Sequence, residues 1–236
     1  MDETRLERAE ALFHRRYRQK KLVNLAICAL IAVLGIASFL FIWNYDRDGL
    51  LTFRWMTVDG TIFTTAIALI YIAVNVLEIC RYTELTSRWV YFLRLSSAVA
   101  ESLIMVVVLL SQLPFSPSHM HILRFDMFNM HILIPLLTVA SFLLNDSPIG
   151  RLRPVQRLRG TWFITLYAAV ILTLIVREII PPEEIPYFFL DVKHLPALAF
   201  AGCFLFIYSL GYSLSTLLSH WNRKLSWQWF KGVAGK

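Results

Sequence analysis

Long apolar blocks alternate with short polar stretches along the whole chain. Six blocks stand out, running roughly Leu22–Trp43, Thr57–Ile79, Tyr91–Leu113, Phe128–Leu144, Thr161–Ile180 and Leu195–Leu218. They are nearly continuous, with neither the 3.6-residue stripe of a soluble amphipathic helix nor the two-residue alternation of a half-buried strand. A helix rising 1.5 Å per residue crosses a ~30 Å hydrocarbon core in about 20 residues. It also satisfies its own backbone hydrogen bonds where water is absent. A membrane barrel would instead use alternating segments of about ten residues. The pattern therefore predicts an all-α polytopic integral membrane protein with six transmembrane helices in one bundle. The fourth block is short and must draw on residues from about Phe125 onward.

The same pattern divides the chain into a basic segment over 1–21, a membrane domain over 22–218 and a tail over 219–236. The first segment reads either as a helix along the membrane surface or as a solvated tail held by anionic lipid. Its length and mixed charge do not fit the short basic region of a cleavable signal, so the first block is expected to stay as an anchor. Asn145-Asp146-Ser147-Pro148 and Pro181-Pro182 mark turns after the fourth and fifth blocks.

Composition agrees. Hydrophobic residues make up 57% of the chain and charged residues 17%, against about 25% charged in a soluble domain. The net charge of +7 would raise nucleic acid as a partner in a soluble protein. Here the distribution of the basic residues gives a different answer. With six spans, 18 of the 23 Lys and Arg fall on one side, in 1–21 and in the loops and tail around Arg81–Arg94, Arg151–Arg159 and Arg223–Lys236. That bias predicts both termini in the cytoplasm and the inner (plasma) membrane as the location. Cys28, Cys80 and Cys203 are an odd number without metal-ligand spacing, so they read as small buried residues.

Polar residues within spans carry the functional signal, since lipid penalises them unless they are paired or used. In this orientation Thr57, Asp59 and Thr61 lie at the outer end of the second span, and Asn129 and His131 at the outer end of the fourth. Ser111 and Gln112 end the third, Arg177 and Glu178 close the fifth, and Tyr187, Asp191 and His194 precede the sixth. Thr57, Thr61 and Thr64 share one helical stripe, and His131, Pro135 and Thr138 share another. Pro135 has no N–H, which frees a carbonyl beside the imidazole and bends the helix. Such groups either hold helices together or form a site. Glu101 sits in the middle of the third span, where a carboxyl must be paired or protonated; it serves either a proton or ion path or an interhelical hydrogen bond. Asn75 and Glu78 lie towards the inner end of the second span, with Arg81 near Glu78. His119, His121, Asp126 and His131 lie beside Met120, Met127 and Met130 without matching a metal signature, so neither metal nor cofactor is expected.

Three motifs carry a family resemblance. Phe53-Arg54-Trp55-Met56-Thr57 resembles the Phe-x-aromatic-x-Thr start of the second span in the androgen-induced-protein-like family of six-span membrane proteins, which includes the androgen-dependent TFPI-regulating protein. His131-Ile-Leu-Ile-Pro135 resembles its histidine-then-proline stretch in span four. Pro186-Tyr187-Phe188-Phe189-Leu190-Asp191 is similar to a segment that bacterial integral membrane members carry before their last span. Asp59-Gly60-Thr61 departs from the Ser-Asn that such members often carry there. The resemblance implies an intramembrane threonine hydrolase of fatty acid esters of hydroxy fatty acids, with Thr57 as nucleophile and His131 as its base. Asp191 is the better candidate to orient the imidazole, because Asp59 lies about 200° around the helix from Thr57. Asn129 and Arg177 are candidate oxyanion donors, and Tyr187 is a supporting candidate. The partner implied is a membrane lipid or fatty acyl ester. The alternatives are a small transporter built on Glu101, and a lipid-binding or scaffold protein whose polar groups only join helices. The oligomeric state is left open.

Overall fold

A computed structural model of the chain describes residues 3–45, 48–81, 87–112, 114 and 122–234. Among these residues there is no strand, and six helices are long and apolar enough to cross a membrane. They are α1 (Glu3–Tyr45), α2 (Met56–Arg81), α3 (Arg88–Val107), α4 (Phe125–Asn145), α5 (Pro154–Val176) and α6 (Ala197–Ala234). The fourth span takes up Phe125–Phe128, as its short apolar block required. Helix α1 runs without a break through position 21, and α6 runs without a break past Leu218.

Local chemistry explains the irregular turns. Helix α4 contains a π-helical turn over Asn129–Leu133, in which the Ile134 N–H reaches back to the Asn129 carbonyl. Pro135 cannot donate the next bond, so the wider turn absorbs the missing N–H. Helix α3 likewise passes into a π turn over Val108–Gln112. Helix α5 begins with Pro154 in its first turn, where a missing N–H costs nothing.

Helix α3 is the centre of the bundle: 67% of its apolar window is buried, against 6% for α6. It packs on α2, α4 and α6, while α1 packs on α2 and α4. Small residues allow close approach. A Cβ on Gly60 would stand 2.6 Å from Ile104 Cδ1, and one on Gly160 would stand 2.8 Å from Ser215 Cβ. Large apolar side chains such as Val33, Leu166 and Leu205 face outward. On a soluble protein that surface would be a liability; on a membrane helix it faces its proper solvent.

The basic ends of five helices are joined by buried charges that the sequence does not reveal as pairs. Arg94 Nε binds Asp146 Oδ2 at 2.9 Å with both side chains fully buried, and Arg94 Nη2 donates to Ser141 at 2.6 Å. Asn24 accepts from Ser141 at 2.6 Å and donates to Asn75 and Asp146 at 3.4 Å each. Asn222 donates to the Phe142 and Asp146 carbonyls. Lys21 binds Glu78 at 2.7 Å. Lys21 and Arg94 are therefore core residues as well as charges of the basic side, and Glu78 pairs with Lys21 rather than reaching the interface beside Arg81. Cys28 is buried as expected, but Cys80 is exposed on the surface of α2, and Cys203 is only partly covered because it borders a cavity.

Candidate functional site

At the end of the bundle opposite the basic side, the start of α2 meets α3, α5, α6 and the Tyr187–Leu190 segment around a cavity of about 400 Å³. Its walls are mainly apolar, with Leu103, Val107, Ile164 and Phe206 among them, and its hydroxyls come from Thr57, Tyr167, Tyr187 and Tyr208, the last of which donates to Thr165 at 2.8 Å. Thr57 lies in the first turn of α2. The rim that carries it is pinned from several directions. Tyr167 donates to the Arg54 carbonyl at 2.6 Å. The Arg54 guanidinium binds Asp48 at 3.2 Å and Glu184 at 2.9 Å, and stacks over Trp55. Trp55 in turn meets Tyr187 edge-on at 6.0 Å.

Tyr187 is the polar partner of Thr57. Its phenol lies near the Met56 backbone and the Thr57 hydroxyl, and burial pushes it up to about 12. It therefore keeps its proton at neutral pH and can donate a hydrogen bond. Asp59 is half-buried and close enough to act electrostatically on Tyr187.

His131 lies in the π turn of α4, buried against α1, α2 and α3. Its Nδ1 bonds the Met127 carbonyl at 2.8 Å. A carbonyl only accepts, so Nδ1 carries the hydrogen, and Nε2 of the neutral ring keeps its lone pair, as a base requires. His131 is not among the residues lining the cavity, and no hydrogen bond among the described residues joins it to Thr57.

The other candidates are dispersed. Asp191 is turned to His194, which it binds at 2.9 Å and which holds its carboxyl below the usual range. The group that orients His131 is thus the Met127 carbonyl, four residues back on its own helix and always within reach. Asn129 donates to Ser38 of α1 at 3.2 Å. Arg177 is exposed at the end of α5, beside Glu178, which pairs with Lys193. His119, Met120 and His121 lie outside the described residues, as do the side chains of Ser111 and Gln112. Among the described residues no three His, Cys, Asp or Glu converge as metal ligands.

Glu101 forms a second polar region, deep among α2, α3 and α4. It is fully buried, and neither carboxyl oxygen has a well-formed hydrogen bond. Thr64 is a polar neighbour, and its hydroxyl bonds Ser97 at 2.9 Å. The Thr61 and Thr138 hydroxyls are also buried without partners. The two helical stripes read from the sequence thus turn inward, and only Thr57, at the end of its stripe, reaches the cavity.

Two residues of the rim, Arg54 and Tyr167, carry no signal in the sequence that marks their role there. Arg54 looked like one of few basic residues on the outer side, and Tyr167 is embedded in an apolar run that gives it no signal. Comparison with protein-family models, with curated proteins and with solved structures finds no match for this chain.

Proposed function

We propose that the protein is an intramembrane hydrolase of lipid esters, of the fatty acid ester of hydroxy fatty acid class, with Thr57 as nucleophile. The observation that carries this reading is the Thr57 hydroxyl at the polar rim of an apolar cavity of about 400 Å³, a size within the usual range for small-molecule sites. An acyl chain lies along the Leu103–Val107 wall and sets its carbonyl beside Thr57. Attack by Thr57 Oγ1 forms an acyl-threonine ester and expels the hydroxy fatty acid. The Thr57 proton passes to the base and then to the leaving alkoxide. Water then cleaves the acyl ester, releasing the fatty acid and restoring the hydroxyl.

Tyr187 is the donor suited to the oxyanion, because its protonated phenol already lies near the Thr57 hydroxyl. His131 is the base in this scheme, with its Nε2 lone pair available. It must move towards Thr57 on substrate binding, and the π turn that holds it is the least regular part of α4. Catalytic contacts commonly tighten only when substrate is bound. The separation of His131 from the cavity lining also favours a second reading, a lipid-binding protein that holds an acyl chain without cleaving it.

One experiment distinguishes them. The purified full chain is treated with a fluorophosphonate probe alongside Thr57→Ala and His131→Ala, and hydrolysis of a fatty acid ester of a hydroxy fatty acid is followed in parallel. Labelling and turnover lost in both folded variants support the hydrolase. Absence of both from folded wild-type protein, with a fluorescent fatty acid still retained, supports the binding protein.

A further inference from the structure

A second cavity, of about 600 Å³, lies at the basic end of the bundle. Its walls come from the segment between α4 and α5 and from the late turns of α6. Arg151, Arg157, Arg223, His220, Thr216 and Leu217 are the residues that define its chemistry. We propose that it binds the headgroup of an anionic phospholipid from the leaflet on that side.

The first argument is charge. Three guanidiniums line one cavity, and none has an ion pair or side-chain hydrogen bond among the described residues. Some arginines elsewhere are engaged: Arg54, Arg94 and Arg124 each bind a carboxylate, and Arg159 stacks on the Trp89, Phe92 and Trp162 rings. Arg81, Arg88 and Arg177 are single surface residues, and what marks the three here is that they line one cavity. Arginines that served only to orient the chain would need nothing but water around them. Arginines gathered around one open recess suit a phosphodiester, since each guanidinium can bind two of its oxygens.

The second argument is a missing partner. The hydroxyl of Thr216, a wall residue, has no hydrogen bond and is covered from solvent, and a rotation of its side chain would turn it to a phosphate or glycerol oxygen.

The third argument is position. A hydrocarbon core takes about 20 residues of helix, so α6, entering at Ala197, reaches the opposite interface near residue 217. The late turns of α6 that line the cavity therefore lie at headgroup level. Leu217 is 52% exposed on the lipid-facing surface and gives an acyl chain its path out of the cavity. An adjoining cavity of about 500 Å³, lined by His220, Arg223, Lys224 and Trp227, extends the basic surface along α6. A basic pocket between helices at the cytoplasmic interface is a recognised form of lipid-headgroup site. The apolar exit favours a lipid over a soluble phosphate.

Thermal unfolding of the purified full chain in detergent provides the test, with phosphatidylglycerol, phosphatidylcholine or inorganic phosphate added. Phosphatidylglycerol is expected to raise the melting temperature in a saturable manner, while the other two leave it unchanged. The triple variant Arg151→Gln, Arg157→Gln, Arg223→Gln is expected to need on the order of a hundredfold more phosphatidylglycerol for the same shift. Equal shifts with phosphatidylglycerol and phosphatidylcholine would overturn the proposal, as would an equal shift with inorganic phosphate, which would mark a free-anion site. An unchanged response of the triple variant would also overturn it. If the triple variant fails to fold, Arg157→Gln combined with Thr216→Val takes its place, and the comparison of lipids on wild-type protein stands alone.

Discussion

The buried Arg94–Asp146 pair offers the sharpest test of how this bundle is held together. Both side chains are fully buried, and the Nε–Oδ2 distance is 2.9 Å. Removing one partner leaves a charge in the interior with little to compensate it. In Asp146→Ala, Arg94 keeps only the Ser141 hydroxyl and the face of the Tyr71 ring. In Arg94→Met, the Asp146 carboxylate keeps as its one hydrogen bond among the described residues a long 3.4 Å contact from Asn24, with the charges of Lys21 and Lys20 acting on it from a distance. Each single change is expected to cost about 3–5 kcal/mol. Removing both charges, in Arg94→Met with Asp146→Ala, leaves no unpaired ion, and its cost is expected to be about that of one small cavity, roughly 1–2 kcal/mol. The coupling energy from the double-mutant cycle should then reach several kcal/mol. Reversible unfolding in mixed micelles, driven by an ionic detergent, supplies the four free energies. If the singles and the double are additive within about 1 kcal/mol, water or headgroups reach the pair, and its role as a closed clamp is refuted.

Three further outcomes follow from the same reasoning. Gly160→Val should destabilise the fold by roughly 1–3 kcal/mol, because even a Cβ would stand 2.8 Å from Ser215 Cβ and 3.3 Å from Val99; the unfolding midpoint of the variant checks this. Glu101→Gln should change stability by no more than about 1 kcal/mol, since no cation forms an ion pair with Glu101 among the described residues; a loss of 3 kcal/mol or more in the same assay would mean that a bound cation uses the charge. The loop before α6 should loosen in acid. Asp191 is held below the usual carboxylate range by His194, so its contribution is complete at neutral pH and is lost as the pH falls through and below about 4. Hydrogen exchange over residues 187–195, corrected for intrinsic rates, should show protection lost on acidification, and the effect should vanish in Asp191→Asn; equal pH dependence in both proteins would refute it.

The span count was legible because it depends on composition alone: any run of about 20 apolar residues must find lipid or a core. The fourth span illustrates the limit of that signal. Its block looked short, since Phe125–Phe128 contains Asp126, whose charge is answered by Arg124 at 2.6–2.7 Å in the folded chain. Hydropathy counts a carboxylate as a cost and cannot register the guanidinium beside it. The buried pairs on the basic side were illegible for the same reason. Lys21 and Arg94 satisfy the charge bias wherever their side chains point, so the bias carries no information on whether they face water or Glu78 and Asp146.

The candidate site divides along a similar line. Helical periodicity placed Thr57, Thr61 and Thr64 on one stripe, and that stripe exists. It did not show that Thr57 lies beside a cavity walled by α3, α5 and α6 while Thr61 and Thr64 are fully buried, as Glu101 is. That difference comes from packing between distant parts of the chain. Phe163 stacks on Phe63 at 4.9 Å and helps close the bundle one turn below, whereas the rim around Thr57 is fixed by the Tyr167 hydrogen bond to the Arg54 carbonyl and by the edge-on contact of Tyr187 with Trp55. The orientation of His131 shows the converse. A local carbonyl four residues back will win over a distant aspartate unless the fold brings that aspartate closer, and here Asp191 lies in a loop where His194 is its nearer partner. Short-range geometry therefore decides the tautomer of the candidate base, while long-range packing decides which threonine a lipid can reach.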